Sequence, residues 1–188
     1  MGINKFFYIA ATGLLILFVL SALVTCSNIK LVVGTIDSQW ESITNLHKDR
    51  VLIIDAMCLL PSVKEGAPDF IADVTTVKDE LTVVLQGINL KKYDHTTKDQ
   101  VVTYFKHQGK VLTLVQNVIA INNKFKPISE DAKFVVLKDK LLLCQKNLEE
   151  EMKKFTTSVK GHNNMKGLTA MVAERRGVGS VPPVPEDK

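Results

Sequence analysis

The chain has 188 residues, 46% of them hydrophobic and 23% charged, which suits one folded domain and a membrane anchor. Its net charge of +4 is small and both signs are interspersed, which argues against the basic surface of a nucleic-acid-binding protein. The cysteines Cys26, Cys58 and Cys144 have no Cys-x-x-Cys spacing, so they predict neither a disulfide framework nor a metal site.

The first predicted element is a membrane-spanning helix. Residues 6–25 carry no charge, and about 20 such residues cross the hydrocarbon core of a bilayer. We therefore predict a single-pass anchor over residues 1–26, located in the cell membrane. Lys5 and Lys30 flank the apolar run almost symmetrically and give little guidance on orientation, and we favour an extracytoplasmic domain.

Two alternatives to a retained anchor remain open. A secretory signal peptide has an apolar region of about 7–15 residues, and this run is longer. Cys26 follows Leu-Val-Thr, which is similar to the lipid-attachment site of bacterial lipoproteins, although Thr25 stands where a small residue is expected. We favour the retained anchor and keep lipidation of Cys26 as the alternative.

Beyond the anchor, helical periodicity predicts four amphipathic helices over residues 27–172. The first runs from Ser27 to Leu60, with Ser27 or Asn28 as its N-cap unless the anchor continues into it without a break. It contains the run Val51–Asp55, which in isolation resembles a strand of a nucleotide enzyme, but no phosphate-binding loop accompanies it and we interpret it as helix. The predicted core stripe is Ile29, Val32, Val33, Ile36, Trp40, Ile43, His47, Ile54 and Met57.

The second and third predicted helices follow Pro68 and begin near Thr97, respectively. The third continues to about Phe125, and Gly109 inside it lowers helix stability by about 1 kcal/mol relative to Ala. The second core stripe is Phe70, Val74, Val77, Leu81, Val84 and Ile88. The third is Val101, Phe105, Leu112, Val115, Val118 and Ile119.

The fourth predicted helix follows Pro127, with Ser129 as the cap candidate. Its core stripe is Phe134, Leu137, Leu141, Cys144, Leu148, Met152, Phe155 and Val159, and its opposite, charged face is expected to be solvated. Together the segments predict an all-α protein, an N-terminal transmembrane helix followed by an antiparallel four-helix bundle with long helices. Residues 173–188 contain Gly and Pro and predict a flexible or extended tail.

Several motifs occur in the order found in a known family. The first helix contains Asn28, Leu31-Val32, Asp37, Trp40, Ile43 and Arg50, followed by Leu-Ile-Ile-Asp-Ala-Met. This order resembles the opening motif of the LemA family, bacterial proteins with an N-terminal membrane segment and an antiparallel helical bundle. The chain departs from that motif where Asp49 replaces a basic residue, Asp55 a proline and Ala56 an asparagine.

Two later segments extend the resemblance over most of the chain, whereas residues 62–101 match only loosely. Phe125, Phe134, Leu137 and Leu141 resemble an aromatic-proline turn and the helix after it, with Pro127 displaced by one position. Phe155, Val159, His162 and Asn163 resemble the closing motif of the family. The resemblance implies a divergent member that is membrane-associated and has no established catalytic activity.

The candidate functional residues are polar or aromatic positions of these motifs. They are Asn28, Asp37, Trp40, Arg50, Asp55, His162 and Asn163. Antiparallel packing would bring the end of the fourth helix beside the start of the first, so His162 is expected nearer to Trp40 or Asn28 than to Asp55. We favour Trp40 as a core residue over Trp40 in a ligand groove. His47 is expected to have a hydrogen-bonded structural role.

The chain lacks the spacings of zinc sites, serine nucleophiles and phosphate loops. We therefore predict a non-enzymatic scaffold or protein-interaction module at the membrane, without cofactor or metal. The expected partners are the membrane through residues 6–25, unknown proteins and a second copy of the chain, and nucleic acid is not expected. One alternative is a tethered ligand-binding or enzymatic domain using the Trp40/Arg50/His162 region, and another is a membrane-remodelling protein.

Overall fold

A computed structural model describes residues 3–91, 93 and 98–164, so the predicted tail and the end of the predicted bundle lie outside the described residues. Within this part of the chain the fold is all-α, without strands, which confirms the predicted class. The helices are α1 (Ile3–Cys58), α2 (Pro61–Gly66), α3 (Pro68–Gln86), α4 (Lys98–Lys124), α5 (Lys126–Ser129) and α6 (Ala132–Asn163).

Helix α1 continues without a break from the apolar N-terminal segment into the packed part of the protein. Its 56 residues correspond to a length of about 84 Å, and neither Ser27 nor Asn28 begins a new helix. The apolar side chains from Leu14 to Leu20 are exposed, whereas Ile29 is buried. Within the described residues, α1 is the one helix long and apolar enough to cross a membrane, and its position near the N-terminus also fits a signal sequence.

The four long helices pack with alternating direction. Trp40 stacks on Phe155 and Arg50 contacts Gln145, so α1 and α6 are antiparallel. Helices α3 and α4 are antiparallel as well, because their contacts pair the end of α3 with the start of α4 and the start of α3 with the end of α4. Helix α1 pairs most extensively with α6, and α3 pairs most extensively with α4. We call the part of the chain from Ile29 to Asn164 the helical body.

The core of the helical body consists of two apolar clusters separated along α1. One cluster contains Met57, Phe134 and Leu141, and the other contains Trp40 and Phe155. Between them, α1 places the buried residues Thr44, His47 and Arg50, and α4 places the buried His107 at the same level. These buried side chains and the half-buried Gln145, which contacts Arg50, lie between two apolar layers, and we call them the polar layer (Thr44, His47, Arg50, His107 and Gln145).

The predicted core stripes of the first, second and fourth helices are buried or half-buried throughout, which confirms them. The third stripe is wrong at Leu112 and Ile119, whose side chains are each 40% exposed. The buried face of α4 is instead formed by Val101, Tyr104, His107, Val111, Leu114, Val115 and Val118. Tyr104 and His107 belong to this buried face, although the predicted stripe did not include them.

The predicted cap of the last helix is also wrong. Ser129 ends the short helix α5, and Asp131 caps α6 by accepting hydrogen bonds from the backbone N–H groups of Lys133 (2.9 Å) and Phe134 (3.3 Å). The second oxygen of Asp131 accepts a hydrogen bond from the hydroxyl of Ser62 (2.6 Å). Hydrogen bonding to Ser62 lowers the pKa of Asp131. Because it also accepts from Ser62, the carboxylate that caps α6 joins this helix to α2.

Replacing Asp131 by alanine is expected to lower the free energy of unfolding of the helical body by about 1 kcal/mol, because two backbone N–H groups lose their acceptor. Trp40 is the only tryptophan and lies in the body, so its fluorescence during urea denaturation of the full chain in detergent measures this change. Ser129→Ala is the matched control and should change stability by less than about 0.5 kcal/mol. Equal losses for the two variants would contradict Asp131 as the cap.

Candidate functional site

Trp40 lies in an aromatic cluster and has no exposed surface. Its ring centroid is 5.0 Å from that of Tyr93, 4.9 Å from Tyr104 and 5.8 Å from Phe155. The indole N–H donates a hydrogen bond to the backbone oxygen of Asn89 (2.8 Å). Both the apolar and the polar part of this side chain therefore have partners within the protein, and Trp40 is a core residue, as favoured from the sequence.

Asp37 lies one helical turn before Trp40 and holds the same segment of chain. One of its carboxylate oxygens accepts a hydrogen bond from the backbone N–H of Tyr93 (3.0 Å). Asn89 and Tyr93 both belong to the connection between α3 and α4, so Asp37 and Trp40 together fix this connection against α1. Asp37 thus has a structural contact that joins α1 to this connection.

The other predicted site residues are distributed along the helical body. Asn28 is exposed on α1, and Asp55 forms an ion pair with Lys78 of α3 (2.7 Å) on the partly exposed surface. His162 is buried and Asn163 half-buried in the last turn of α6. Arg50 is level with Gln145 on α6, and the 17 residues from there to His162 correspond to about 25 Å. The predicted Trp40/Arg50/His162 region therefore does not form one site.

His47 and His107 form a hydrogen-bonded pair inside the polar layer. The Nε2 atom of His47 is 2.9 Å from Nδ1 of His107, and Nε2 of His107 is 2.8 Å from the backbone oxygen of Val77. Because a carbonyl oxygen only accepts, His107 carries its proton on Nε2, and its Nδ1 accepts from the Nε2–H of His47. This arrangement assigns both tautomers and leaves Nδ1 of His47 without a proton or a partner among the described residues.

Both imidazoles are neutral at physiological pH. Burial, together with the nearby charge of Arg50, lowers the pKa of His47 to about 2. Burial also lowers the pKa of His107. The pair is therefore a structural element of the core, as expected for His47, and His107 is a residue that the sequence interpretation missed.

Arg50 is the most unusual residue of the polar layer, because its side chain is 1% exposed. Its Nη1 donates a hydrogen bond to Oε1 of Gln145, and Nε2 of Gln145 donates to Glu149 (2.8 Å). The Nε and Nη2 atoms of Arg50 have no hydrogen-bond partner within the described part of the chain. Burial lowers the pKa of Arg50 to about 10, so the guanidinium remains charged at neutral pH.

A cavity of about 430 Å³ opens beside Arg50, between α1, α4 and α6. Phe105, Leu112, Leu148 and Met152 give it an apolar wall, and Arg50 lies in the polar wall. Exposure of Leu112, which the sequence interpretation placed in the core, results from its position on this cavity. Arg50 is thus a predicted site residue that lines a cavity.

Other reactive side chains of the described region have ordinary structural surroundings. Cys58 and Cys144 are buried free thiols, and the Cys144 thiol contacts the backbone oxygen of Leu46 at 3.4 Å. Burial raises the pKa of Cys58 to about 11, which opposes formation of a reactive thiolate. Among the residues placed by the structure, no group of three His, Cys, Asp or Glu side chains is arranged to hold a metal.

The residues that carry the LemA resemblance now have definite places. Trp40 and Phe155 are paired across α1 and α6, and Phe134 and Leu141 belong to the other apolar cluster. Asp55, which replaces the family's proline, lies inside a helix that continues to Cys58. The resemblance remains a prediction, because comparison of the chain with protein-family models, curated proteins and solved structures found no match.

Proposed function

We propose that the chain is a non-enzymatic, single-pass membrane protein related to the LemA family, whose antiparallel four-helix bundle serves as an interaction module at the membrane surface. The observation that carries this proposal is the continuity of α1, which extends from the exposed apolar segment into the core. Because α1 is unbroken, no flexible linker separates the anchor from the bundle, and the orientation of the anchor in the membrane determines the orientation of the bundle. Anchor and bundle would therefore act as one rigid unit.

Burial along α1 supports a location of the bundle directly at the bilayer. Ile29, four residues beyond the apolar run that ends at Thr25, is already packed in the body. The end of the bundle nearest the bilayer also contains the connection between α3 and α4 and the end of α6, because Asp37 contacts Tyr93 and Trp40 contacts Phe155. Helices α2 and α5 contact each other at the far end. We propose an extracytoplasmic bundle.

Photo-crosslinking in native membranes tests the interaction role. A photoreactive amino acid replaces Leu52, Val83 or Leu143, which are 61%, 69% and 59% exposed on α1, α3 and α6, in the full chain. We expect at least one position to give a discrete protein adduct, either with another protein or with a second, differently tagged copy. Phe134, which is fully buried, is the matched control and should give none. Absence of a protein adduct from all three exposed positions would contradict an interaction module.

A ligand-binding role is the second candidate, and the cavity at Arg50 favours it. An enzymatic version that uses Trp40 and His162 together with Arg50 loses its support, because Trp40 is enclosed by aromatic rings and His162 is about 25 Å farther along α6. The second candidate function is therefore reduced to ligand binding in the cavity that Arg50 lines.

A further inference from the structure

The cavity beside Arg50 combines an apolar wall with hydrogen-bond donors that have no acceptor. Nε and Nη2 of Arg50, which lines the cavity, are buried and have no hydrogen-bond partner in the described region. An unpaired buried donor raises the free energy of the folded state, and an unpaired buried charge raises it more. A negatively charged acceptor that entered the cavity would satisfy these donors.

We propose that this cavity binds a small monocarboxylic acid, with its carboxylate on Arg50 and its apolar body against Phe105, Leu112, Leu148 and Met152. A guanidinium binds a carboxylate through two parallel hydrogen bonds, for which an Arg with free N–H groups is suited. The volume of about 430 Å³ lies within the range of small-molecule sites. This binding site is independent of the interaction role proposed above.

The charges of the cavity wall indicate a single negative charge on the ligand. Arg50 and Lys153 are cationic and Glu149 is anionic, which leaves one net positive charge. An inorganic phosphate or a second carboxylate would bring excess negative charge close to Glu149. The apolar wall further favours a ligand with a hydrocarbon body over a fully polar anion.

Access to Arg50 requires a movement of one side chain. The guanidinium nitrogens Nε and Nη2 are covered, and Gln145 occupies Nη1. Gln145 is only half-buried and is held at its other end by the exposed Glu149, so its side chain can rotate outward along α6. The entering carboxylate would then accept hydrogen bonds from Nη1, which Gln145 has released, and from the previously unpaired Nη2, and both bonds are charge-assisted.

Calorimetric titration of the full chain in lipid nanodiscs with hexanoate tests the proposal, with the heat of empty nanodiscs subtracted. We expect saturable binding of one hexanoate per chain. Arg50→Met, which keeps the volume but removes the charge, should weaken binding about 10-fold to 100-fold, the usual effect of losing a charged hydrogen-bond partner. Hexan-1-ol and inorganic phosphate, which lack either the charge or the apolar body, should bind at least about 10-fold more weakly than hexanoate.

A variant that fills the cavity tests the site independently of Arg50. Apart from the adjoining residues and backbone of its own helix, no atom lies within 4 Å of a Cβ added at Gly109, which lines the cavity, so Gly109→Phe has room to place a ring there and should abolish binding. Gly161→Phe is the matched control, because Gly161 is equally open and lies outside the cavity wall. If Arg50→Met does not fold, Gly109→Phe decides the question. Absence of saturable hexanoate binding, equal binding by Gly109→Phe and wild type, or tighter binding of phosphate would overturn the proposal.

Discussion

Replacing Trp40 by alanine is expected to lower the free energy of unfolding of the helical body by about 3–5 kcal/mol. The indole is enclosed by Tyr93, Tyr104 and Phe155, whose ring centroids lie 4.9 to 5.8 Å from its own. Its removal leaves a cavity at the junction of α1, α4 and α6 and also leaves the backbone oxygen of Asn89 without its donor. Such a loss is a large fraction of the total stability of a domain of this size.

The measurement follows the loss of helix by circular dichroism during urea denaturation of the full chain in detergent, since the variant has no tryptophan fluorescence. Trp40→Phe separates the two contributions, because it retains an aromatic ring and loses the hydrogen bond to Asn89; we expect an intermediate loss. Leu143→Ala, at a position 59% exposed on α6, is the control and should change stability by less than about 0.5 kcal/mol. A loss at Trp40→Ala no larger than that at Leu143→Ala would contradict a core role for Trp40.

Apolar periodicity predicted the buried faces of three helices, because these faces consist mainly of apolar side chains that pack in the core. On α6, every predicted core residue from Phe134 to Val159 is buried or half-buried. The same rule failed on α4, where Tyr104 and His107 occupy core positions that an apolar stripe does not mark. Their burial depends on partners from other helices, namely Trp40, His47 and Val77, which a single helical segment does not identify.

The residues around the start of α6 did not identify its N-cap by themselves either. Ser129, Glu130 and Asp131 are all acceptable near a helix N-terminus, and the choice of Asp131 depends on the separate short helix α5 and on a hydrogen bond from Ser62. The candidate site was predictable only at Arg50. Gln145 and the apolar cavity wall belong to α4 and α6, and their meeting with Arg50 is a property of packing.

The polar layer predicts that acid destabilises the helical body, because the buried His47 is neutral in the folded protein. Its pKa is about 2 in the folded protein and 6.5 when exposed, so the unfolded chain binds one more proton than the folded chain between these values. Stability is therefore fully present above pH 6.5 and is lost as the pH falls below it, at about 1.4 kcal/mol per pH unit. Lowering the pH from 7.5 to 5 should cost about 2 kcal/mol through His47 alone.

His107 acts in the same direction, since burial lowers its pKa too. The charges around the pair do not remove the effect, because Arg50 disfavours a second positive charge and Glu80, the nearby carboxylate, is only half-buried and forms an ion pair with Lys110 (2.6 Å). An imidazolium at His47 would also have Nδ1–H without an acceptor in the described part of the chain. The neutral pair is therefore the form that the folded body accommodates.

His47→Gln isolates this contribution, because the amide of Gln retains a donor for His107 and does not titrate. Urea denaturation of the full chain at pH 7.5, 6.5 and 5, followed by Trp40 fluorescence, should show wild type losing about 2 kcal/mol more than the variant over this range. Carboxylates that titrate below pH 5 are common to both proteins and cancel in the difference. Parallel stability curves for wild type and His47→Gln would mean that His47 is protonated in the folded state, which its burial between two apolar clusters opposes.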